Sequence, residues 1–542
     1  MLTTKYIFVS GGVLSGLVKG TVIASLFLLL KSHGFSVVPV KCENYLNVDA
    51  GLINPIEHGD PFLCEDGAET DMDLGTYERF LNMNLSLDNF ITMGQIYKSV
   101  IDKERNFFYK GEDVEAIPHV TDEIINRIKT VGKKYQAEIV VIELGGTAGE
   151  YQNSLYYEAS RIMKLKYRDP VVHIHVSYLP TPPHLGEPKT KPTQLSVKLL
   201  NSMGIQPDFI VARADRMIDD RRKDRFALFC NVRPEHIISS PDVSNVYELP
   251  LIFAQQQFSQ KILKLLNLKP TPLKLGQWQN LIQLIKAPQD KAVTIAIVGK
   301  YFATGDYNLN DSYAALIEAI NHAAWHVKAA VKIKAVNAET SMGKMNQQLS
   351  NCQGIIVPIG LGPRGVEGMI EAIKYGRENK IPYLGLCFGM QLAVIEFARN
   401  VCGLKSAHTT EVNPKTPDPV IHIIPEQQRN LNSRAYGGTM RLGAWEEKIV
   451  SNTLAYRIYR KNRVWERHRH RYEFNNQYAA KLEKSGLIIS SRSVKENLAE
   501  TIELPAAAHP FFFGTQGHPE YKSRPLQPHP VFLAFVKAAK KL

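Results

Sequence analysis

Ile381-Pro382-Tyr383-Leu384-Gly385-Leu386-Cys387-Phe388-Gly389-Met390-Gln391 joins a short apolar run to the start of a helical pattern. The run predicts a buried strand that stops at Gly385. Just after Cys387, Met390, Leu392, Ala393, Ile395, Phe397 and Ala398 recur at helical spacing. Strand, Gly-x-Cys-x-Gly and helix together have the form of a nucleophile elbow. Glycines on both sides permit a sharp turn and leave room beside the thiol. A helix N-terminus favours a thiolate and offers a backbone N–H to an oxyanion. A buried, inert cysteine is the plain alternative.

The tail bears on that choice. Phe511-Phe512-Phe513-Gly514-Thr515-Gln516-Gly517-His518-Pro519-Glu520 is an aromatic strand running into His-Pro-Glu. Residues two apart on an extended chain point the same way. Glu520 can therefore orient His518, and His518 can activate Cys387. Elbow and His-Pro-Glu together resemble the class I glutamine amidotransferases, which release ammonia from glutamine through a cysteine thioester. Ammonia needs a consumer, so the rest of the chain is expected to hold one.

At 542 residues the chain is too long for one core, and two domains are the default. A net charge of +12 without a dense Lys/Arg tract suits anionic small molecules better than nucleic acid. The cysteines (Cys42, Cys64, Cys230, Cys352, Cys387, Cys402) form no CxxC pair. That fits reduced thiols in a cytoplasmic protein rather than a disulfide frame or a zinc site. Val22–Leu30 is too short to span a membrane, and the N-terminus lacks a signal-peptide layout.

Tyr6–Val9 predicts a strand, followed by a Gly-rich loop (Ser10 to Gly20, with Ser15 and Lys19) and a helix from about Thr21 to Ser32. That order is the layout of a phosphate-cradling loop, although the strict Walker pattern is absent and an ordinary βα turn stays open. Ser36–Lys41 predicts a second strand with Lys41 at its carboxyl end, where ligands of open α/β sheets bind. The acidic run Glu65 to Asp73 reads as a solvated loop or, beside a phosphate loop, as a holder of Mg²⁺. Glu143 interrupts the apolar strand Glu138–Thr147, where a carboxylate is costly without a partner. A cation shared with Asp73 is one explanation and a local salt bridge the other. Lys189 to Gln194 predicts a basic loop before a helix from Ser196 to about Met203, and Asp208–Arg213 a further strand. Gly354–Val357 predicts a strand leading into Gly360-Leu361-Gly362, whose N–H groups can face an oxyanion.

Taken together these strings resemble the CTP synthase family over essentially the whole chain. Those that carry the resemblance include Glu65-Asp66-Gly67-Ala68-Glu69-Thr70-Asp71, Lys189 to Gln194, Gly437 to Gly443 and Glu466 to Glu473. The resemblance implies a two-domain α/β protein, each domain a mostly parallel sheet flanked by helices. It places a P-loop-like synthase domain at 1–269, a linker at 270–291 and an amidotransferase domain at 292–542. It implies ATP-dependent phosphorylation of the UTP 4-oxygen, then displacement of phosphate by ammonia. By position, Ser15, Lys19, Lys41, Asp73, Arg213, Asp242 and Val243 match the ATP site, and Asp73 and Glu143 the Mg²⁺ carboxylates. Ser15, Glu150, Gln152, Lys189, Thr190, Lys191, Gln194 and Arg225 match the UTP/CTP site. Gly360, Phe388, Gln391, Glu411 and Arg471 match glutamine contacts, and Cys387, His518 and Glu520 the triad. His58 matches a residue beside the ammonia passage, and Arg364 and Gly365 the segment linked to allosteric GTP. A homotetramer is implied, with no nucleic-acid or membrane partner.

Some positions depart from the family. Val18 stands where the phosphate loop has glycine, at a cost of about 1–3 kcal/mol if φ is positive there, which Gly16 can partly absorb. Glu43-Asn44 replaces Asp-Pro, Leu52-Ile53 replaces Thr-Met, and Gln152, Arg225 and Ile359 replace glutamate, lysine and glycine. Most of these are expected around ATP or UTP. They leave open a diverged amidoligase on a related pyrimidine nucleotide, or a non-catalytic nucleotide-binding paralogue.

Overall fold

The computed structural model describes residues 3–14, 19–55, 59–289, 291–302 and 310–542; Ser15, Gly16, Val18 and His58 lie outside them. The chain forms two compact units, Met1–Asp49 with Asp73–Ile282, and Ala50–Met72 with Gln283–Leu542. Division by chain position differs from this at two places. Ala50–Met72 belongs with the second unit. The expected linker contains the helix Gly276–Lys286, whose Trp278, Leu281 and Ile282 are buried at i, i+3, i+4 spacing.

The first unit is built on seven strands in the order Phe90–Thr92, Val37–Glu43, Ile139–Leu144, Lys5–Gly12, Val171–Tyr178, Phe209–Ala214, Ile237–Pro241. Every pairing is parallel. Its central strands are apolar runs buried on both faces, as a helix-covered parallel sheet requires. The helix Lys19–Ser32 follows the Gly-rich loop and buries ten of its residues, from Gly20 to Leu30. One expectation needs correction. The helix expected from Ser196 begins at Lys191, so Lys191 and Gln194 lie on it rather than in a loop. Pro192 sits in its first turn, where a fixed φ suits a helix start and no N–H is missed.

The second unit carries nine strands. Ala329–Asn337, Lys291–Gly299, Gly354–Val357, Tyr383–Leu386 and Phe512–Thr515 form the parallel half. Ala499–Glu503, Ile488–Ser493, Arg441–Ile449 and Arg463–His470 continue it antiparallel. The helix Phe388–Asn400 is buried without interruption from Phe388 to Ala398. Its single buried carboxylate, Glu396, is held by Arg377 through Nε (2.9 Å) and Nη2 (2.8 Å). Ala50–Met72 is fastened to this unit by buried arginines. Arg467 Nε meets Glu65 Oε2 at 2.9 Å, and Arg469 Nε meets Glu69 Oε1 at 2.6 Å. Tyr521 Oη donates to the Pro61 carbonyl at 3.1 Å.

Candidate active sites

Cys387 sits between the strand Tyr383–Leu386 and the helix Phe388–Asn400 with φ 50° and ψ −100°. Such a conformation is strained for any residue with a Cβ, and its neighbours explain how it is held. A Cβ on Gly389 would strike the Val357 carbonyl, and one on Gly385 would lie 2.6 Å from the Tyr383 hydroxyl. The Cys387 N–H donates to Thr515 O at 2.7 Å, which ties the elbow to the strand Phe512–Thr515.

His518 is fully buried and its Nδ1 meets Glu520 Oε1 at 2.7 Å, so Glu520 fixes the ring. Nε2 is also buried, without a hydrogen bond of ordinary geometry among the described residues. Burial pushes the imidazole down, but Glu520 and then Cys387 outweigh it, and the ring rises to about 10. The consequence for stability has a definite sign. A histidine with a raised folded pKa contributes stability that is complete below its unfolded value, near 6.5. That contribution fades as pH climbs through the folded value of about 10. The gap in thermal midpoint between the wild type and His518→Gln is therefore expected to be widest near pH 6 and to shrink steadily toward pH 10. Scanning calorimetry across that range checks it.

A cavity of about 480 Å³ opens on the sulfur. All five residues matched to glutamine binding (Gly360, Phe388, Gln391, Glu411, Arg471) line it with Cys387. Arg471 donates to Gln427 Oε1 and to the Tyr436 carbonyl, both at 2.5 Å. Of the N–H groups in Gly360-Leu361-Gly362, one is engaged by a side chain of this unit. The Gly362 N–H already donates to Glu411 Oε1 at 2.8 Å. Leu52 and Ile53 also line this cavity. Those substitutions therefore border the thiol site. Lys300 escaped the sequence reading. It is buried, its Nζ donates to Gly362 O (2.6 Å) and Leu361 O (3.2 Å), and it stands 4.4 Å from the centre of the Phe388 ring. Burial lowers it to about 8. Its place just past the carboxyl end of the strand Lys291–Gly299 was the available signal.

In the first unit three carboxylates converge on one ammonium. Lys41 Nζ lies 2.5 Å from Asp73 Oδ2, 2.9 Å from Glu143 Oε1 and 3.1 Å from Glu43 Oε1. Burial works against that cation, but Asp73, Glu143 and Glu43 hold it well above the ordinary lysine range. The cost of Glu143 on a buried strand is thus met by Lys41 and by the Tyr77 hydroxyl. Glu43, one of the departures, joins the cluster, and Asn44 donates to Glu150 Oε2 at 3.1 Å. Lys19 donates to the Leu144 carbonyl at 2.8 Å and to Gly146 O, and burial lowers its pKa. An all-oxygen pair, Asp73 and Glu143, already sharing one positive charge, fits Mg²⁺.

The other matched residues lie past the strands or on the helices that follow, with Arg225 on the helix Asp220–Cys230 and Gln194 on the helix Lys191–Ser202. Arg213 pairs with Asp242 at 3.0 Å, with Val243 half-buried next to it. Glu150 accepts from the Thr147 N–H at 2.8 Å. Lys189 pairs with Glu187 at 2.5 Å, and Gln194 donates to the buried Thr190 hydroxyl at 3.0 Å. Gln152, Lys191 and Arg225 are exposed.

Among the described residues, Glu447, His468 and Glu500 also bring possible ligand atoms within 4.8 Å of one another. Arg441 Nη1 lies 3.1 Å from His468 Nδ1, and a guanidinium only donates. Nδ1 therefore accepts and Nε2 carries the proton, so the ring has no lone pair left for a metal on the Glu447 side.

Residues 5–268 match the family model described as CTP synthase N-terminus, and residues 308–538 match glutamine amidotransferase class-I. One chain that holds a parallel-sheet unit with a lysine–carboxylate cluster and a unit with an elbow cysteine defines a glutamine-dependent amidoligase. The CTP synthase of Caldanaerobacter subterraneus subsp. tengcongensis is 49% identical over 98% of this chain and 98% of its own. That of Sulfurisphaera tokodaii is 50% identical over 99% of each. Among solved structures, the Trypanosoma brucei CTPS glutaminase domain with bound acivicin is 36% identical, covering 46% of this chain and 94% of its own at a TM-score of 0.42. The chain belongs to the CTP synthase family.

Proposed function

We propose that this chain converts UTP to CTP with ATP and with ammonia taken from glutamine. The observation that carries this reading is the cavity that gathers Cys387 with every residue matched to glutamine contact. In the second unit the Cys387 thiolate attacks the glutamine carboxamide carbon. The C–N bond breaks, His518 delivers the proton that ammonia needs to leave, and water then cleaves the thioester to glutamate. Glu520 keeps the ring oriented throughout.

In the first unit the γ-phosphoryl group passes from ATP to the UTP 4-oxygen, and ammonia then displaces phosphate at C4. Lys19 and Lys41 steady the phosphoryl oxygens, and Arg213, Asp242 and Val243 contact ATP. Lys189, Thr190, Lys191, Gln194, Glu150, Gln152 and Arg225 hold UTP or CTP. Asp73 and Glu143 would hold Mg²⁺, which when bound would supply neutralising charge to the phosphate oxygens. Residues 1–269 and 292–542 are assigned to the two half-reactions, with Ala50–Met72 forming part of the second unit. GTP activation, a homotetramer and a cytoplasmic setting complete the reading. The placement of Leu52 and Ile53 by Cys387 removes part of the case for another pyrimidine substrate.

Incubation with ATP, Mg²⁺, UTP and glutamine is expected to give the absorbance rise of CTP, with one glutamate per CTP. Absence of CTP with both glutamine and ammonium chloride overturns the proposal.

A further inference from the structure

We infer that Gln516 is a catalytic residue of the thiol site, donating its side-chain N–H to the Cys387 sulfur. The inference deepens the glutaminase reading and rests on it. It starts from strand register. Leu386 pairs with Thr515 in the parallel ladder, so the next residues, Cys387 and Gln516, leave the sheet side by side. Gln516 is 1% exposed, and its Nε2 lies 3.4 Å from Cys387 Sγ.

Which end of the amide faces the sulfur follows from its neighbours. Gln391 Nε2 lies 2.8 Å from the Tyr472 carbonyl, which only accepts, so that atom of Gln391 is nitrogen. The same nitrogen lies 3.1 Å from the near atom of the Gln516 amide, which is therefore the oxygen, Oε1. The remaining atom of Gln516 is the NH₂ group, and it points at the sulfur. The backbone is held as well, since Gln516 N–H donates to Glu500 O at 2.7 Å.

The chemistry favours the anion. The sulfur also lies 3.8 Å from the Arg469 carbonyl, an acceptor that suits a thiol and repels a thiolate. The fixed Gln516 donor strengthens as charge develops on sulfur and needs no rearrangement at that moment. His518 and Gln516 then have separate tasks. The imidazole exchanges a proton with the reacting atoms, while the amide holds charge on sulfur without titrating.

The test uses the full chain and reads alkylation of Cys387 by iodoacetamide, followed by mass spectrometry from pH 5 to 10. This probe needs no glutamine turnover, so its outcome is separate from that of the glutaminase reading, which glutamate release by the wild type decides. Gln516→Met keeps size and removes the donor. Gln516→Glu replaces the donor with an anion. At pH 7 the first is expected to slow alkylation about fivefold to tenfold and the second about a hundredfold. Both rate profiles are expected to move alkaline, that of the Glu variant further. Gln391→Leu, which frees the amide to rotate, is expected to resemble Gln516→Met. Profiles that overlay the wild type overturn the inference. Equal slowing in the Met and Glu variants with unmoved midpoints marks a packing role and overturns it too.

Discussion

Cys387→Ala is expected to lower glutamine-dependent CTP formation by at least about 10³-fold while ammonium chloride at pH 8–9 still supports it. The sulfur is the one group at the elbow able to form a thioester, and its loss leaves the cavity without a nucleophile. Ammonia supplied in solution skips that step. The substitution is also mild for the fold. Cys387 adopts its φ of 50° with a Cβ already present, and alanine adds no atom. Its backbone N–H to Thr515 does not involve the side chain. Steady-state assays with each nitrogen source check the result. Loss of both activities in a variant with an unchanged thermal midpoint refutes the assignment of Cys387 to glutamine alone.

The elbow was legible because its requirements are local. Gly385 and Gly389 are demanded by close approaches within a few residues or to the adjacent strand, and glycine leaves a mark in sequence. His518 and Glu520 were legible for a similar reason, since two-residue spacing on an extended chain puts both on one side. What escaped depends on contacts between distant residues. Nothing near Ala50–Met72 announces that Glu65 and Glu69 will meet Arg467 and Arg469, some 400 positions later. That segment brings Leu52 and Ile53 to the thiol cavity, a placement their position in the chain does not announce. Gln516 escaped because its role comes from strand register, which fixes a neighbour across the sheet and not along the chain. The partner of Glu143 was half legible. A cation shared with Asp73 and a local salt bridge were the two readings, and the ion pair found is with Lys41, 102 positions away in the chain.

Glu143→Ala is expected to abolish CTP formation from either nitrogen source and to destabilise the first unit by about 3 kcal/mol. Glu143 is 1% exposed and accepts from Lys41 and from the fully buried Tyr77 hydroxyl. Alanine deletes both acceptors in a place water cannot reach, leaving Tyr77 unpaired and Lys41 to Asp73 and Glu43. Glu143→Gln separates the two effects. Its carbonyl oxygen still accepts from Tyr77 and its shape is kept, so the loss in urea midpoint is expected to be less than half that of alanine. Its charge is gone, so ammonia-dependent synthesis is expected to fall at least about a hundredfold through weakened hold on phosphoryl-bound cations. The pattern is the mirror of Cys387→Ala, which spares the ammonia reaction. A Glu143→Gln variant that aminates UTP at the wild-type rate from ammonium chloride would show that the Lys41 cluster is scaffold alone. The phosphoryl-transfer site would then have to be sought elsewhere along the carboxyl edge of the parallel sheet, with Arg213 and Asp242 the next pair to replace.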